Sequence, residues 1–241
     1  MYAMTTTESV DYRARLAQSL PVVQARIAAA AEAAGRGPAE VRLVAVSKAH
    51  PVSALEAALE VGLRDLGENR VEELERKIGV LGREAATWHM IGHVQGRKAA
   101  TAAALADVVH SVDSFRLAER LSRAVPEGQG ALRVLAQVNA SGEGQKGGFA
   151  MDTAVDEIHR LSELRGLKVD GLMTMAPFVD DEVVLGRVFQ RLRETLEKLG
   201  AVTDEVGTEL SMGMTNDLDI AIREGSTMVR IGTALFGERI R

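Results

Sequence analysis

A lysine at the end of an apolar segment has the clearest chemical potential in this sequence. Lys48 follows the run LVAVS at 43–47, whose apolar and β-branched residues predict a buried strand. A lysine beside a buried strand is energetically costly unless its amine is paired, neutral or covalently engaged. Lys48 is therefore either a side chain that extends into solvent from the strand end or an amine that bonds covalently to a ligand.

Two glycine-containing segments near the end of the sequence predict an anion site. The segment SMGM at 211–214 leads into a predicted helix, and RIGT at 230–233 leads into a second turn. Glycine lets backbone N–H groups approach an anion closely, and N–H groups at the start of a helix add a favourable dipole. A phosphate group is the ligand that these segments suit best.

The rest of the sequence alternates between strand-like and helix-like segments, which is typical of parallel strands joined by right-handed crossovers. The predicted strands are 41–46, 64–66, 88–91, 107–110, 132–138, 167–173, 207–211 and 227–231. The predicted helices between them are 52–61, 70–82, 96–104, 114–124, 152–164, 182–199 and 215–224. We predict the α/β fold class and a (β/α)8 TIM barrel, with an open doubly wound sheet as the alternative.

An amphipathic helix over about 7–34 is expected before the barrel. Its apolar residues recur three or four positions apart, at Leu16, Leu20, Val23, Ile27 and Ala30. We expect this helix to pack as a lid across one end of the barrel. No linker rich in Pro, Gly or Ser divides the sequence, so we predict a single domain over 1–241, with the barrel at about 41–239.

The barrel prediction brings the lysine and the glycine segments together. Active sites of such barrels lie at the C-terminal ends of the strands, and the loops after strands seven and eight commonly bind phosphate. In a closed barrel, strand one, which precedes Lys48, is the neighbour of strand eight. This arrangement indicates pyridoxal phosphate held as a Schiff base on Lys48. A sugar-phosphate aldolase that uses Lys48 on its substrate, without a cofactor, is the competing interpretation.

Six ordered segments carry a specific set of motifs: LVAVSKAHP (43–51), GENRVEE (67–73), WHMIGHVQGRK (88–98), QVNASGEGQKGGF (137–149), GLMTMAPF (171–178) and ELSMGMTNDLDIAIREGSTMVRIGTALFGER (209–239). Together they resemble the pyridoxal phosphate homeostasis protein family (the YggS/PROSC group). The resemblance extends from about Val41 to Arg239. It implies a barrel related to the N-terminal domain of alanine racemase, the fold-type III class of pyridoxal phosphate proteins.

The resemblance also implies roles for individual residues. Lys48 would carry the Schiff base, and Arg230 would face the pyridine nitrogen and keep it unprotonated. Asn69 and His89 would line the pocket. The phosphate would bind to Ser211, Gly213, Gly232 and Thr233. Lys146 matches a second lysine of the family motifs, although its position beside two glycines is also typical of an exposed loop lysine.

The resemblance favours a carrier over an enzyme. An alanine racemase uses a tyrosine from a second, β-rich domain as a catalytic base, whereas the tyrosines of this sequence are Tyr2 and Tyr12, before or within the first helix. We therefore expect a protein without established catalysis that buffers pyridoxal 5'-phosphate or delivers it to apo-enzymes. A racemase-like enzyme of low activity, in which His89 or His110 would serve as the second base, is the alternative.

Composition excludes several other classes of function. The 241 residues carry a net charge of -5 without a basic run, which argues against a nucleic-acid surface, and the absence of cysteine excludes disulfides and thiolate metal sites. No apolar run is long enough to span a membrane. His89 and His93 have the spacing of a metal pair only on a helix, and they fall in a strand motif, so no metal is expected. We expect a cytoplasmic monomer.

Overall fold

Eight parallel strands close into a barrel in the computed structural model, which describes residues 11–144 and 146–238. The strands are β1 Arg42–Val46, β2 Asp65–Glu68, β3 Thr87–Met90, β4 Val108–Val112, β5 Leu132–Gln137, β6 Leu167–Met173, β7 Val206–Ser211 and β8 Met228–Ile231. Each strand pairs with the next in sequence, and β8 pairs with β1, where Ala45 lies opposite Ile231. The predicted (β/α)8 barrel is confirmed, and the open-sheet alternative is wrong.

Helices alternate with the strands as the sequence predicts. They are α1 Tyr12–Ala33, α2 Val52–Glu60, α3 Val71–Leu81, α4 Ala99–Leu105, α5 Phe115–Ala124, α6 Ala154–Ser162, α7 Glu182–Gly200, α8 Leu218–Arg223 and α9 Thr233–Phe236. The α9 helix was not predicted, because four residues are too few to show a helical period. Residues 7–10 of the predicted first helix lie outside the described residues. Within the described residues, no helix has the length and apolar character needed to cross a membrane.

The apolar core is divided into two parts by the barrel wall. Side chains of a strand alternate between its faces, so each strand contributes one set to the surrounding helices and one to the barrel interior. The main core lies between strands and helices, and a small separate cluster consists of Val108, Leu135 and Met173. Buried polar residues, including His89, His110 and Arg230, also lie on the strands.

The α1 helix runs along the flank of the barrel, so the prediction of a lid across one end is wrong. Its Ser19 Oγ donates to the backbone oxygen of Leu235 in α9 at 2.9 Å. Farther along, Arg26 Nη1 donates to the backbone oxygen of Thr215, shortly before α8, at 3.1 Å. Because α9 has only four residues, the apolar stripe of α1 takes the place beside α8 that a full-length last helix would occupy.

Truncation of the buried stripe of α1 tests this placement. Leu16 is fully buried, and we expect Leu16→Ala to lower the free energy of unfolding by about 2–5 kcal/mol, because it removes core contacts and leaves a cavity. The matched control is Val22→Ala on the exposed face of the same helix, where Val22 is 61% exposed and the expected change is within about 0.5 kcal/mol. Urea unfolding measures both variants. An equally small effect of the two substitutions would contradict the flank packing of α1.

Candidate functional site

Lys48 lies in a tight turn at the C-terminal end of β1. The backbone oxygen of Ser47 accepts a hydrogen bond from the N–H of His50 at 3.0 Å, so Lys48 and Ala49 occupy the centre of the turn. Ala49 has a φ of 63° and is the only non-glycine residue with a positive φ within the described residues. Such strained backbone concentrates at functional sites. The Lys48 side chain is partly buried at the end of the barrel where active sites lie.

The two glycine segments lie on the same end of the barrel as Lys48. Gly232 follows β8, and a Cβ at this position would lie 3.0 Å from the backbone oxygen of Val46, at the end of β1. Gly213 follows β7 with a φ of 96°, and a Cβ there would lie 2.7 Å from a side chain of α8. Thr233 is exposed and begins α9, whose first N–H groups have no acceptor within the helix. At both glycines the backbone therefore passes so close to a neighbouring element that a side chain would not fit.

Arg230 lies on β8 with its guanidinium held inside the protein. The residue is 5% exposed. Its Nη1 donates to Ser211 Oγ at 2.7 Å, and its Nη2 donates to the backbone oxygen of Thr174 at 2.9 Å. Burial lowers the pKa of Arg230 to about 10, while the carboxyl of Asp217 acts in the opposite direction. The guanidinium is still a cation at neutral pH, and its orientation is set by the two acceptors.

A series of hydrogen bonds continues from Ser211 through the barrel interior. Ser211 Oγ lies 2.9 Å from His110 Nδ1, and His110 Nε2 lies 2.8 Å from His89 Nδ1. His89 Nε2 in turn lies 2.9 Å from Asp65 Oδ1, at the first residue of β2. Arg230, Ser211, His110, His89 and Asp65 form what we call the interior network. It connects the end of the barrel that carries Lys48 with the opposite end.

The two ends of the interior network define the direction of its hydrogen bonds. A guanidinium only donates and a carboxylate only accepts, so Arg230 donates into the network at one end and Asp65 accepts at the other. Burial, reinforced by the nearby positive charge of Arg230, holds the pKa of His110 well below its ordinary value, which keeps that imidazole neutral. The Ser211 hydroxyl accepts from Arg230 and lies within hydrogen-bond distance of His110 Nδ1. Each side chain of the network thus has at least one polar partner.

Ser211 contacts Arg230 directly, and His89 is linked to it through other side chains, which the sequence motifs do not predict. The hydroxyl of Ser211 is occupied by His110 and Arg230 inside the barrel. His89 is fully buried and connects to Arg230 only through two other side chains. The strand positions of these residues are visible in the sequence, but the inward direction of their side chains depends on the register of the closed barrel.

The other predicted residues lie in loops at the same end of the barrel. Asn69 directly follows β2 and is partly buried, and Gly92 packs so closely that a Cβ there would lie 2.2 Å from the backbone oxygen of Asn69. Lys146 lies between β5 and α6, where its amine forms an ion pair with Glu143 and lies 3.5 Å from the backbone oxygen of Met175. Asn69 is thus positioned near the site, and Lys146 belongs to a loop with its own ion pair.

His89 and His93 do not act together as a pair. His89 belongs to the interior network, whereas His93 Nδ1 lies 2.9 Å from Asp113 Oδ2 and its side chain is exposed. Within residues 11–144 and 146–238, no group of three or more His, Cys, Asp and Glu side chains is arranged to hold a metal ion.

A buried ion pair that the sequence motifs do not predict lies beside the Lys48 turn. Lys77 Nζ lies 2.5 Å from Glu68 Oε1, and both side chains are fully buried. Burial raises the pKa of Glu68 to about 7, although the Lys77 ammonium and the hydroxyl of Ser47 lower it. Lys77 follows the buried Val71 and Leu74 at a spacing of three residues. A lysine within the apolar stripe of a helix is the sequence signal by which this pair could have been found.

Removal of the Ser211 hydroxyl tests the interior network. We expect Ser211→Ala to lower the free energy of unfolding by about 1–3 kcal/mol, because His110 and Arg230 each lose a partner in a buried environment. The control is Ser122→Ala, which removes an exposed hydrogen bond to the backbone oxygen of Arg165. Its expected change is within about 0.5 kcal/mol. Urea unfolding measures the free energy of unfolding of both variants. An equal loss of stability in the two would contradict the interior network.

Comparison with known proteins gives relatives over almost the whole sequence. A family model described as alanine racemase, N-terminal domain, matches residues 19–240. A pyridoxal phosphate homeostasis protein from Pseudomonas aeruginosa is 43% identical over 224 residues, which cover 93% of this chain and 96% of the relative. An alanine racemase from Clostridium difficile is 16% identical with a TM-score of 0.77, covers 93% of this chain and 57% of the enzyme, and shows similarity of fold alone.

PipY of Synechococcus elongatus has been solved in two states that both resemble this structure. Without pyridoxal phosphate it matches with a TM-score of 0.83 at 35% identity, over 92% of this chain and 100% of PipY. With pyridoxal phosphate bound the TM-score is 0.77 at 36% identity, over 88% of this chain and 100% of PipY. The resemblance suggested by the six sequence segments is confirmed: the chain belongs to the pyridoxal phosphate homeostasis protein family, built on the fold of the alanine racemase N-terminal domain.

Proposed function

We propose that this chain is a single-domain protein of pyridoxal 5'-phosphate homeostasis, which binds the cofactor reversibly at the C-terminal end of its barrel. Its family and the PipY structure with pyridoxal phosphate bound support the proposal. The observation that carries it is the close approach of Gly232 to the end of β1, because the loop after β8, which we propose to bind the phosphate, then lies beside the Lys48 turn.

The residues at this end of the barrel fit the functional groups of pyridoxal phosphate. The primary amine of Lys48 suits the aldehyde, and the guanidinium of Arg230 suits the ring nitrogen. In our proposal the phosphate binds to the loops of Gly213, Gly232 and Thr233, where the glycines let the backbone pass close to its neighbours and Thr233 is exposed at the start of α9. When bound, the cofactor supplies an aldehyde that condenses reversibly with amines. Lys48 would hold it covalently, while the loops and Arg230 orient it.

The remaining predicted residues support this site indirectly. In our proposal, Ser211 and His89 act through the interior network by holding Arg230, and Asn69 lines the edge of the pocket. A cation opposite the ring nitrogen disfavours its protonation and so weakens the cofactor as an electron acceptor. Exchange of one amine for another needs no electron acceptor. The charge of Arg230 therefore favours a carrier over a racemase-like enzyme.

Besides His89 and His110, Tyr12 is a residue that could serve a racemase mechanism as a base, and its environment makes it a poor one. Its hydroxyl lies 3.0 Å from Nδ1 of His50, two residues after Lys48, and the side chain is buried. Burial raises the pKa of Tyr12, although the charge of Arg15 acts in the opposite direction, so the phenol stays protonated at neutral pH. We infer a carrier that buffers pyridoxal phosphate in the cytoplasm as a monomer and passes it to the lysine of an apo-enzyme.

Absorbance spectra test cofactor binding. We expect the purified protein, titrated with pyridoxal phosphate, to develop a visible band that borohydride removes, because reduction makes the bond to Lys48 permanent. Lys48→Ala should lack the band, and the control Lys146→Ala should keep it. A parent protein without a band would refute cofactor binding and favour the aldolase interpretation. If only Lys146→Ala lacked the band, the covalent bond would be on Lys146 and not on Lys48, which would contradict the proposal.

An amino-acid racemisation assay separates the carrier from the enzyme. With pyridoxal phosphate bound, we expect the parent protein to convert L-alanine to D-alanine no faster than Lys48→Ala does. The physical reason is the combination of a cationic partner for the ring nitrogen and a buried, protonated Tyr12. Chiral chromatography of the product measures the rate. Turnover that depends on Lys48 would contradict the carrier and support the racemase-like alternative.

A further inference from the structure

The two peptide groups that flank Lys48 are both hydrogen-bonded by side chains of α3. On one side, Lys77 Nζ donates to the backbone oxygen of Ser47 at 2.8 Å. On the other side, the N–H of Ala49 donates to Glu73 Oε2 at 3.0 Å. Glu73 and Lys77 are four residues apart, so they share one face of the helix. We call these two residues the α3 pair.

The α3 pair belongs to a set of charges, with Lys77 and Glu68 fully buried and Glu73 partly exposed, that stability alone does not explain. The ammonium of Lys77 is balanced by Glu68 at 2.5 Å and by Glu73 at 4.0 Å. Glu68 Oε1 also accepts from Ser47 Oγ at 2.5 Å, while its buried Oε2 has no hydrogen-bond partner within the described residues. Apolar residues of similar volume are often at least as stabilising as a buried ion pair. A positioning role gives a reason for the charges.

The conformation of the Lys48 turn requires support of this kind. A non-glycine residue in the left-handed region, as Ala49 is, costs roughly 1–3 kcal/mol and persists only when the surroundings hold it there. The hydrogen bond from Ala49 N–H to Glu73 and the one from Lys77 to the Ser47 oxygen hold the two peptide groups that lead into the strained position. Without them the turn can relax to an ordinary conformation, and the Lys48 backbone moves with it. A displacement of about 1 Å is enough to lower the efficiency of covalent chemistry.

We propose that Glu73 and Lys77 are positioning residues for Lys48. They hold the peptide groups on either side of it in the strained turn and thereby direct its amine toward the glycine loops. This inference rests on the proposed function, because it concerns how the same lysine meets the cofactor. It predicts that covalent binding depends on the α3 pair, whereas binding through the phosphate and the ring does not.

Two ligands separate these contributions. Pyridoxal phosphate can bond covalently to Lys48, whereas pyridoxine 5'-phosphate has the same ring and phosphate but no aldehyde. We expect Glu73→Ala to weaken pyridoxal phosphate binding about tenfold, because Ala49 loses its acceptor, and to change pyridoxine phosphate binding less than about twofold. Glu73→Gln keeps an acceptor oxygen and should bind nearly as the parent does. The control Glu72→Ala removes an exposed carboxylate on the same helix and should change neither affinity.

A double variant tests Lys77 without leaving a buried charge unpaired. Lys77→Met combined with Glu68→Gln removes both charges of the ion pair together. We expect this variant to unfold at a similar urea concentration to the parent and to lose pyridoxal phosphate affinity about tenfold, again with pyridoxine phosphate binding retained. In this variant the backbone oxygen of Ser47 loses the hydrogen bond from Lys77 and keeps the one from the N–H of His50. The turn therefore loses one of its supports.

The outcomes distinguish this inference from the proposed function. A parent protein that binds no pyridoxal phosphate refutes the proposed function itself. A parent that binds it, with folded variants of unchanged affinity, overturns only the role of the α3 pair. Equal weakening of both ligands overturns that role as well, because it indicates general damage to the pocket. Variants that fail to fold also overturn it, since they assign the pair to stability.

Discussion

Closure of the barrel between β1 and β8 is the constraint on which the candidate site depends. The pairing of these strands places Ala45 opposite Ile231, although the two residues lie near opposite ends of the sequence. The turn after β1 then meets the loop after β8, and Gly232 lets this loop approach the last residue of β1 closely. Lys48 and the glycine-containing loop after β8 thus become neighbours through backbone pairing, before any side-chain contact is considered.

The second constraint is the cost of burying charge inside a barrel. Arg230 is buried, and this cost is lowered by its hydrogen bonds to Ser211 and to the backbone oxygen of Thr174, with the interior network continuing as far as Asp65. Lys77 is buried close to the Lys48 turn, and it meets the cost through Glu68 and the backbone of Ser47. In our proposal, both arrangements hold groups that would face the cofactor. In both, buried polar contacts determine the position of groups near the C-terminal end of the barrel strands.

The sequence predicts the elements well because parallel strands and amphipathic helices have periods that are visible locally. Lys48 and the glycine segments could be predicted for the same reason, since each lies directly after a strand. The inward direction of Ser211 and His89 could not be predicted, because it depends on the register of the whole barrel. The position of α1 was predicted wrongly, since an apolar stripe shows that a face is buried but not which surface covers it. Lys77 was missed because its partners lie on β2 and in the β1 turn.

The most direct test of the account is to identify which lysine carries pyridoxal phosphate. The protein is incubated with equimolar pyridoxal phosphate, reduced with borohydride and digested, and the modified peptides are located by mass spectrometry. The account predicts that the modification lies almost entirely on Lys48, because that amine is in the turn that faces the glycine loops. Modification spread over several lysines, or concentrated on Lys146, would contradict it.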